Sequence, residues 1–479
     1  MMKVPSKLAP FVGRSLLVDG LGDDAVELAE FLAKVSDRIT VLVRTETVQE
    51  NEPRIDRLRA QGLSIRSSYA GEPVNFADAE VLFVDLFTPA RAPLILSARE
   101  RGLRLSNLAD VILRTAPEHT IGITGSAGKT TTTFLLTSIL RAAGIPVRGS
   151  TDDRLTPSGP GHAMLADLYA LGSSAWRVLE LTSHHLDYVS VSPRIGVVTN
   201  FFPDHQDWHG SLSAYRSAKR RLLDFQRADD LAILNFDDEA VRTDFANGLG
   251  GRKVFYSMSD DNDSGVVVSE GYIANRSRRG LERICALADL AMPSHHIPNA
   301  LAAAAAAFAV GAETAAIGEA LRNFRGLPQR SYFLGKVDGV EIYDDTIAMN
   351  PRKALSGLQT FSDKSLIVVA GGALESPGGE KRVNSELEKQ DLRRFCMALE
   401  RKARGVVVFG AGGSVIGRLL SVSGRPPIVL TEASFEHALE RAISLARPDG
   451  RILLAPVFYN PATKLKQTLE GLLRRKIEI

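Results

Sequence analysis

The chain has 479 residues, 44% of them hydrophobic and 24% charged, a length that exceeds one hydrophobic core and predicts two to four domains. The formal net charge is only +2 with both signs evenly mixed, and no run of about 18 apolar residues occurs, so neither nucleic acid nor a membrane is expected as a partner. The two cysteines, Cys285 and Cys396, lie far apart, and the first residues have no apolar leader, which argues against disulfides, a zinc site and secretion and predicts a cytoplasmic protein.

The segment up to about residue 112 predicts a small parallel α/β domain. A strand ends at Asp19, a glycine turn and a helix follow, and a second strand ends near Arg44. The stretches AEVLFVDLFTP and PLILSARERGL continue the alternation of strand and helix, which is typical of a parallel sheet. The turn GLGDDA is also a weak match to a dinucleotide-binding turn, although Asp23 and Asp24 would oppose a pyrophosphate there.

A glycine-rich loop follows the next apolar strand, in the stretch GITGSAGKTTTT. Strand, turn and helix in this order direct backbone N–H groups and a helix N-terminus at an anion. The spacing G-x-x-G-K-T is tighter than the common phosphate-loop pattern, because Ile123 stands where that pattern has a glycine. Lys129 would supply a mobile positive charge and Thr130 a hydroxyl suited to Mg²⁺. The residues predicted to bind nucleotide phosphates are Gly125, Ser126, Ala127, Gly128, Lys129, Thr130 and Thr131.

Two acidic and histidine-containing clusters follow later strands of the same region. Glu180 ends the strand in WRVLELTSHHL and is placed to hold Mg²⁺, although a solvated loop acid is an equal alternative. His205 lies in TNFFPDHQDWHG beside Asp204 and Asp207 and could bind a second metal ion. A lone histidine is more often a structural hydrogen-bonding group, so this role depends on its neighbours.

Three further residues could reach the nucleotide. Lys219, in AYRSAKRRLL, reads locally as a surface lysine. Asn299 lies at the start of an alanine-rich helix and could contact the base or the ribose of a nucleotide. A third region of alternating strands and helices runs from about residue 330 to the end, and Arg330 lies near its start. An arginine at such a boundary can reach a γ-phosphate when domains close.

In their order and separations these motifs resemble the landmarks of the Mur ligase family. The stretches concerned are GITGSAGKTTTT, ELTSHHL, TNFFPDHQDWHGSLSAYRSAKRRLL, ILNFDDE, HHIPNALAAA and FRGLPQRSYF, from about residue 115 onward. The resemblance implies an α/β protein of three domains: a Rossmann-like UDP-substrate domain (residues 1–112), a central P-loop ATPase domain (113–329) and a Rossmann-like amino-acid domain (330–479). Within the family, ELTSHH, DDTIAMNPRKAL and the spacing of the first domain favour the members that add D-glutamate to UDP-N-acetylmuramoyl-L-alanine.

The resemblance also implies a mechanism and its partners. ATP would phosphorylate a substrate carboxylate, the amine of an amino acid would attack the acyl phosphate, and an amide, ADP and phosphate would result, as a step in peptidoglycan precursor synthesis. The implied partners are small molecules, namely ATP, a UDP-linked muramoyl precursor and an amino acid, and a monomer is expected.

Individual roles follow from matching positions. Lys129 would cradle the β- and γ-phosphates, and Thr130, Glu180 and His205 would hold two Mg²⁺ ions. Lys219 aligns with a family lysine that is carbamylated to N6-carboxylysine, which would give an oxygen ligand for the second ion. The remaining implied ATP contacts are Asn299, Arg330 and Asp345.

The third region departs from the pattern of the D-glutamate members. Those members have N-D-S-K-A-T-N where this chain reads DDTIAMN, so Ile347 and Met349 replace a lysine and a threonine. Glu375 stands where those members have a lysine that meets the carboxylate of the amino acid, and Lys464 or Lys466 could substitute for it. The amino-acid pocket is therefore altered, or it holds glutamate differently.

The acceptor side departs as well. The turn Gly20–Asp24 has two carboxylates where the family has Ser-Gly or Thr-Gly facing the diphosphate, and GSTDDRL replaces a usual Gly-Asn-Ile-Gly. His185 replaces a common glutamine. Three alternatives thus stay open: a paralogue that adds L-glutamate or another amino acid to a muramoyl-peptide or specialised acceptor, a dinucleotide-dependent oxidoreductase, and a non-catalytic P-loop regulator.

Overall fold

The computed structural model describes residues 6–45, 48–68, 76, 78–86, 88–149, 175–260, 265–277, 280–358, 361, 364, 366–374, 386–422, 427–458 and 477–478. The chain divides into two compact units, Met1–Leu290 with Pro298–Asn323, and Ala291–Ile297 with Phe324–Ile479. Its sheets are mostly parallel with helices between their strands, so the α/β fold class predicted from the sequence is confirmed. The domain boundaries near residues 112 and 329 stay predictions.

The first unit begins with a five-stranded sheet of order β3-β2-β1-β4-β5, in which all strands are parallel. The order reverses between β1 and β4, and such a switch point opens a crevice at the carboxyl ends of the strands. The strands are β1 (Leu16–Asp19), β2 (Ile39–Arg44), β3 (Ser64–Ser68), β4 (Val81–Phe83) and β5 (Arg104–Ser106). The helices are α1 (Asp23–Leu32), α2 (Glu52–Ala60), α3 (Pro93–Glu100) and α4 (Leu108–Thr115), with 3-10 turns at Ser6–Phe11, Gln49–Asn51 and Pro117–His119.

A second parallel sheet of the first unit has the order β11-β10-β9-β6-β8-β7. Strands β6 and β9 are buried along their whole length, as expected where helices cover both faces of a parallel sheet. The strands are β6 (Thr120–Thr124), β7 (Val147–Gly149), β8 (Trp176–Glu180), β9 (Ile195–Val198), β10 (Leu231–Asn235) and β11 (Arg252–Tyr256). The helices are α5 (Lys129–Ala142), α6 (Ser183–Leu186), α7 (Gln206–His209) and α8 (Leu212–Asp224), with a π-helical turn at Val241–Phe245.

A small antiparallel sheet and two helices complete the first unit. The sheet was not predicted from the sequence. Its strand Gly265–Ser269 is mostly buried, whereas Gly280–Ala286 is exposed along its first four residues. The alanine-rich helix was predicted, and its alanines from Ala300 to Ala307 are buried. The elements are β12 (Gly265–Ser269), β13 (Tyr272–Ser277), β14 (Gly280–Ala286), α9 (Ile297–Ala309) and α10 (Thr314–Asn323), with a 3-10 turn at Leu287–Asp289. The 3-10 turn at Ser294–His296 falls in the second unit.

The second unit is a seven-stranded sheet of order β19-β18-β17-β20-β16-β15-β21, in which only β15 runs antiparallel to its neighbours. Val368 packs in one hydrophobic cluster while Ile367 and Val369 pack in another, so helices cover both faces. The strands are β15 (Tyr332–Val337), β16 (Val340–Asp344), β17 (Leu366–Gly371), β18 (Ala403–Phe409), β19 (Ile428–Glu432), β20 (Arg451–Val457) and β21 (Ile477–Glu478). The helices are α11 (Pro351–Leu358), α12 (Glu386–Lys402), α13 (Gly410–Ser421) and α14 (Phe435–Ala446).

Within the described part of the chain, no helix has both the length and the apolar character needed to cross a bilayer.

Candidate active site

Three neighbouring strands of the second sheet end at the same edge. Strand β6 lies between β8 and β9, with Ile123 opposite Glu180 and Thr124 opposite Val198. Because parallel strands present their carboxyl ends together, the glycine loop, Glu180 and the segment that starts at Thr199 meet at this edge. The structure thus brings together the loop, Glu180 and the His205 segment, as the sequence predicts.

Two glycines of the loop are required by close contacts. Gly128 has φ +84° and caps α5, and a Cβ there would lie 2.2 Å from Asn299 Oδ1. Gly125 has φ +153°, and a Cβ there would lie 1.9 Å from Thr199 Oγ1. Neither position accepts a side chain, and Asn299 lies against the loop although it is distant in the sequence.

The side chain of Asn200 holds the loop by a pair of hydrogen bonds. The Ala127 N–H donates to Asn200 Oδ1 (2.8 Å), and Asn200 Nδ2 donates to the Ala127 carbonyl (3.1 Å). Thr199 Oγ1 donates to the same carbonyl at 2.6 Å. Both backbone polar groups of Ala127 are therefore hydrogen-bonded to this segment. Sequence reasoning missed Asn200 and Thr199, and their position directly after an apolar strand was the only available signal.

Ser126 links the loop to the helix that carries Lys219. Its hydroxyl lies 3.0 Å from Tyr215 Oη and donates to the Phe202 carbonyl at 2.9 Å. The Phe202 N–H donates back to Ser126 Oγ at 3.1 Å. Tyr215 is buried on α8, and burial raises the pKa of its hydroxyl, so it remains a neutral hydrogen-bonding group.

Two lysines converge on one loop carbonyl. Lys129 Nζ donates to the Gly125 oxygen at 3.1 Å and Lys219 Nζ donates to the same oxygen at 2.7 Å. Lys219 is only 1% exposed, and its ammonium lies 4.8 Å from the centre of the Tyr215 ring. The local interpretation of Lys219 as a surface lysine is therefore wrong, because α8 directs this side chain beneath the loop.

His205 lies in an aromatic cluster at the same edge. Its φ is +49°, and its Nε2 lies 3.6 Å from Asp204 Oδ2. The ring of His184 packs edge-on at 4.9 Å from His205 and 4.4 Å from Trp208, between ring centres. Burial, followed by His205 and the other nearby cationic groups, lowers the pKa of His184 to about 2, so this ring packs as a neutral aromatic.

His185 lies near the same edge of the sheet, and a helix cap fixes the position of its ring. Thr182 caps α6, and its backbone N–H donates to His185 Nδ1 at 3.1 Å. His185 is 6% exposed, and burial, with a smaller effect of Lys129, lowers its pKa to about 4.

The ligand set at this edge fits Mg²⁺ better than a metal that needs many protein ligands. Among the described residues, no three His, Cys, Asp or Glu side chains come together as a metal site. Mg²⁺ is usually bound by one or two carboxylates, with phosphate oxygens and water completing the shell. Glu180 and Thr130, both half-buried, offer the carboxylate and hydroxyl, whereas an ammonium at Lys219 is not a ligand.

The second unit brings Arg330 and Asp345 together. The Ser331 N–H donates to Asp345 Oδ1 at 3.0 Å. Burial raises the pKa of Asp345 well above its ordinary value, while the Ser331 N–H and Arg330 act in the opposite direction. Ile347, which replaces a family lysine, is 37% exposed. Positions Glu375, Lys464 and Lys466, and most of GSTDDRL, lie outside the described residues.

Comparison with known proteins shows which family the chain resembles. The model of the Mur ligase middle domain matches residues 123–307. A UDP-N-acetylmuramoylalanine–D-glutamate ligase from Symbiobacterium thermophilum is 30% identical over 443 residues, covering 92% of each chain. The same enzyme from Pelotomaculum thermopropionicum is 28% identical over 452 residues, covering 94% of each chain.

Solved structures show the same fold at lower identity. MurF from Acinetobacter baumannii has a TM-score of 0.60 at 18% identity, covering 95% of this chain and 93% of that one. MurF from Thermotoga maritima, in complex with ADP, has a TM-score of 0.58 at 16% identity, covering 91% of this chain and 95% of that one. The chain therefore belongs to the Mur ligase family of ATP-dependent, ADP-forming amide ligases.

Proposed function

We propose that this protein joins D-glutamate to UDP-N-acetylmuramoyl-L-alanine in peptidoglycan precursor synthesis, as a cytoplasmic monomer. The observation that carries the chemistry is the convergence of Lys129 and Lys219 on the Gly125 carbonyl, at the edge where Glu180 ends its strand. The choice of substrates is supported by the two relatives named above, which match over nearly their whole length.

The reaction requires that a carboxylate be converted into an acyl donor with a good leaving group. A carboxylate is a poor acyl donor because oxide would have to leave. Its oxygen attacks the γ-phosphorus of ATP, ADP departs, and the resulting acyl phosphate now carries phosphate as a good leaving group. The amine of the amino acid attacks the carbonyl, loses a proton, and the tetrahedral intermediate collapses to the amide and phosphate.

The residues of the loop would position the nucleotide. The N-terminus of α5 favours phosphate, and Lys129 adds charge at the β- and γ-phosphates. The N–H groups of Ser126 and Ala127 instead donate to Asn200 and hold the shape of the loop. Thr130, Glu180 and His205 would hold Mg²⁺, which would neutralise phosphate charge. Asn299 lies against Gly128 and would contact the nucleotide from the other side of the loop.

We further propose that Lys219 is carbamylated. A buried ammonium beside a second lysine is unfavourable, because desolvation and like-charge repulsion both oppose it. The ammonium first loses a proton. The neutral amine then reacts with carbon dioxide, forms an N–C bond and releases a second proton, so that the cation becomes an anion. The product, N6-carboxylysine, would supply the oxygen ligand for the second metal ion.

Arg330 and Asp345 would bind ATP from the third domain. They are already adjacent in the second unit through the Ser331 N–H. The same turn carries the exposed Ile347, and this apolar side chain favours a second candidate function in which a different amino acid is added.

The test is release of phosphate from ATP with UDP-N-acetylmuramoyl-L-alanine, screened against single amino acids of both hands. Release that depends on D-glutamate establishes the proposed activity. Release with another amino acid moves the assignment to a paralogue, and release that no amino acid stimulates would contradict ligation.

A further inference from the structure

One segment of the second sheet is built into the body of the first sheet. This bridge segment, residues 181–190, follows Glu180 at the end of β8 and contains α6. Its Tyr188 is 7% exposed and packs in a hydrophobic cluster with Leu17 of β1 and Leu82 of β4. The bridge segment therefore leads directly from a predicted metal ligand into the core of the neighbouring sheet.

Helix α4, which connects the two sheets, holds the bridge segment by polar contacts at two points. In the middle of the segment, Asn107 Nδ2 donates to the His185 carbonyl at 2.7 Å. At its end, Asp110 Oδ1 accepts from the Ser190 N–H at 2.8 Å and from the Ser190 hydroxyl at 3.0 Å. Asn107 also caps α4 by accepting from the Asp110 N–H at 3.0 Å, so both contacts come from the first turn of one helix.

A buried ion pair completes the contact at Ser190. Asp110 and Arg114 lie one turn apart on α4, with Arg114 Nε 2.9 Å from Asp110 Oδ2 and side chains that are 0% and 9% exposed. Ser106 Oγ donates to the same carboxylate oxygen at 2.9 Å. The Ser190 hydroxyl accepts from Arg114 Nη2 at 2.6 Å and from Arg104 Nη2 at 3.3 Å while it donates to the carboxylate. One serine is thus held between a carboxylate and two guanidinium groups.

The apolar contacts around this network join the two sheets without fixing their direction. One hydrophobic cluster includes Val18 of β1, Val111 of α4 and Val189 of the bridge segment, and hydrophobic burial is non-directional. A buried ion pair adds little net stability compared with apolar side chains of similar volume, because desolvation of the charges offsets their attraction. Its hydrogen bonds, in contrast, require fixed positions of donors and acceptors. The network is therefore suited to set the position of Ser190 against α4 rather than to add stability.

We propose that Asp110 and Ser190 are positioning residues, which fix the distance between the first sheet and the edge where Glu180 ends β8. This role rests on the proposed function, in which the first sheet binds the acceptor and the phosphate loop binds ATP. The acceptor carboxylate has to lie in line with the γ-phosphate, and a misplacement of about 1 Å at a reacting centre costs on the order of 100-fold in rate. Neither residue contacts a substrate, and both act through the bridge segment.

Turnover and binding, measured on the same variants, separate positioning from stability. Ser190→Ala removes the hydroxyl but keeps the N–H, and it should lower kcat about tenfold while the Kd values of ATP and of the UDP-linked acceptor stay unchanged in calorimetry. Ser190→Thr keeps a hydroxyl and should retain most of kcat. The double variant Asp110→Leu with Arg114→Met replaces the ion pair by apolar side chains and should lower kcat about 100-fold.

Thermal unfolding of each variant supplies the control for stability. Ser421→Ala, which removes an exposed hydroxyl in the second unit, should change neither kcat nor Tm. Unchanged kcat in both Ser190→Ala and the double variant would overturn the proposal. A loss of kcat that only follows the unfolded fraction would overturn it too, because the network would then act on stability alone.

A distance measurement tests the proposal without substrates. Spin labels at Ala33→Cys after α1 and Ala228→Cys after α8, both exposed positions, report the separation of the two sheets by double electron–electron resonance. The two native cysteines are buried. The labelled parent should give one narrow distance distribution and the double variant a broader one. Asp56→Leu with Arg59→Met, at an exposed ion pair on α2, is the matched control and should leave the distribution narrow.

The two readouts also distinguish this proposal from the proposed function. A narrow distribution in the double variant overturns the positioning role, whatever its turnover. If the parent shows no turnover with the UDP-linked acceptor but the double variant broadens the distribution, the bridge segment still fixes the distance and only the proposed function fails.

Discussion

Asn200→Ala isolates the hydrogen bonds that hold the phosphate loop. The substitution removes the amide that binds the Ala127 N–H at 2.8 Å and its carbonyl at 3.1 Å, and it leaves every predicted contact with ATP in place. Two hydrogen bonds at about 1 kcal/mol each correspond to roughly a 30-fold change in an equilibrium constant at 25 °C. We therefore expect the KM for ATP to rise by about that factor, because the loop must be ordered when the nucleotide binds.

The assay is initial-rate phosphate release at varied ATP, with thermal unfolding measured in parallel. Asn323→Ala, at an exposed amide that ends α10, is the matched control and should change neither quantity. Asn200→Asp keeps the shape but sets a carboxylate oxygen against the Ala127 carbonyl, so it should raise the KM more than alanine does. An unchanged KM for ATP in Asn200→Ala would refute the reasoning that this amide organises the loop.

Lys129→Ala should abolish ADP formation, and unchanged turnover would remove the phosphate loop from the mechanism. Lys219→Ala should reduce activity severely, with partial recovery on adding bicarbonate or short carboxylic acids, and full activity without them would contradict a catalytic role. Gly128→Ala should lower ATP affinity measured by calorimetry, because its Cβ would lie 2.2 Å from Asn299 Oδ1 at a φ of +84°, and wild-type affinity would show that the contact yields. Burial lowers the pKa of His185 to about 4, against 6.5 for an unperturbed histidine, so the unfolded state takes up the proton at a higher pH than the folded state does. The free energy of unfolding therefore decreases as the pH is lowered from 6.5 to 4, by up to about 3 kcal/mol from this residue. Urea unfolding of His185→Gln should show a flatter pH profile across that window, and an identical profile would mean that His185 is not buried as a neutral ring.

Local signals in the sequence were sufficient for the principal elements. The apolar strand, the glycine turn and the periodic helix at residues 120–142 are each determined by neighbours in the chain, and β6, the loop and α5 occur where these signals predict them. The alternation of strand and helix likewise predicted parallel sheets, because a crossover helix is what joins parallel strands. The small antiparallel sheet β12–β14 was missed, since β13 and β14 have no regular alternation of buried and exposed residues.

Sequence by itself thus determined the α/β class and the glycine loop between a strand and a helix. Only the tertiary structure decided that Lys219 is buried beneath the loop, that Asn200 binds the backbone of Ala127, and that His185 is buried against a helix cap. The physical reason is distance along the chain. Secondary structure depends on neighbouring residues, whereas the burial and hydrogen-bond partners of these side chains depend on segments that the order of the strands brings together.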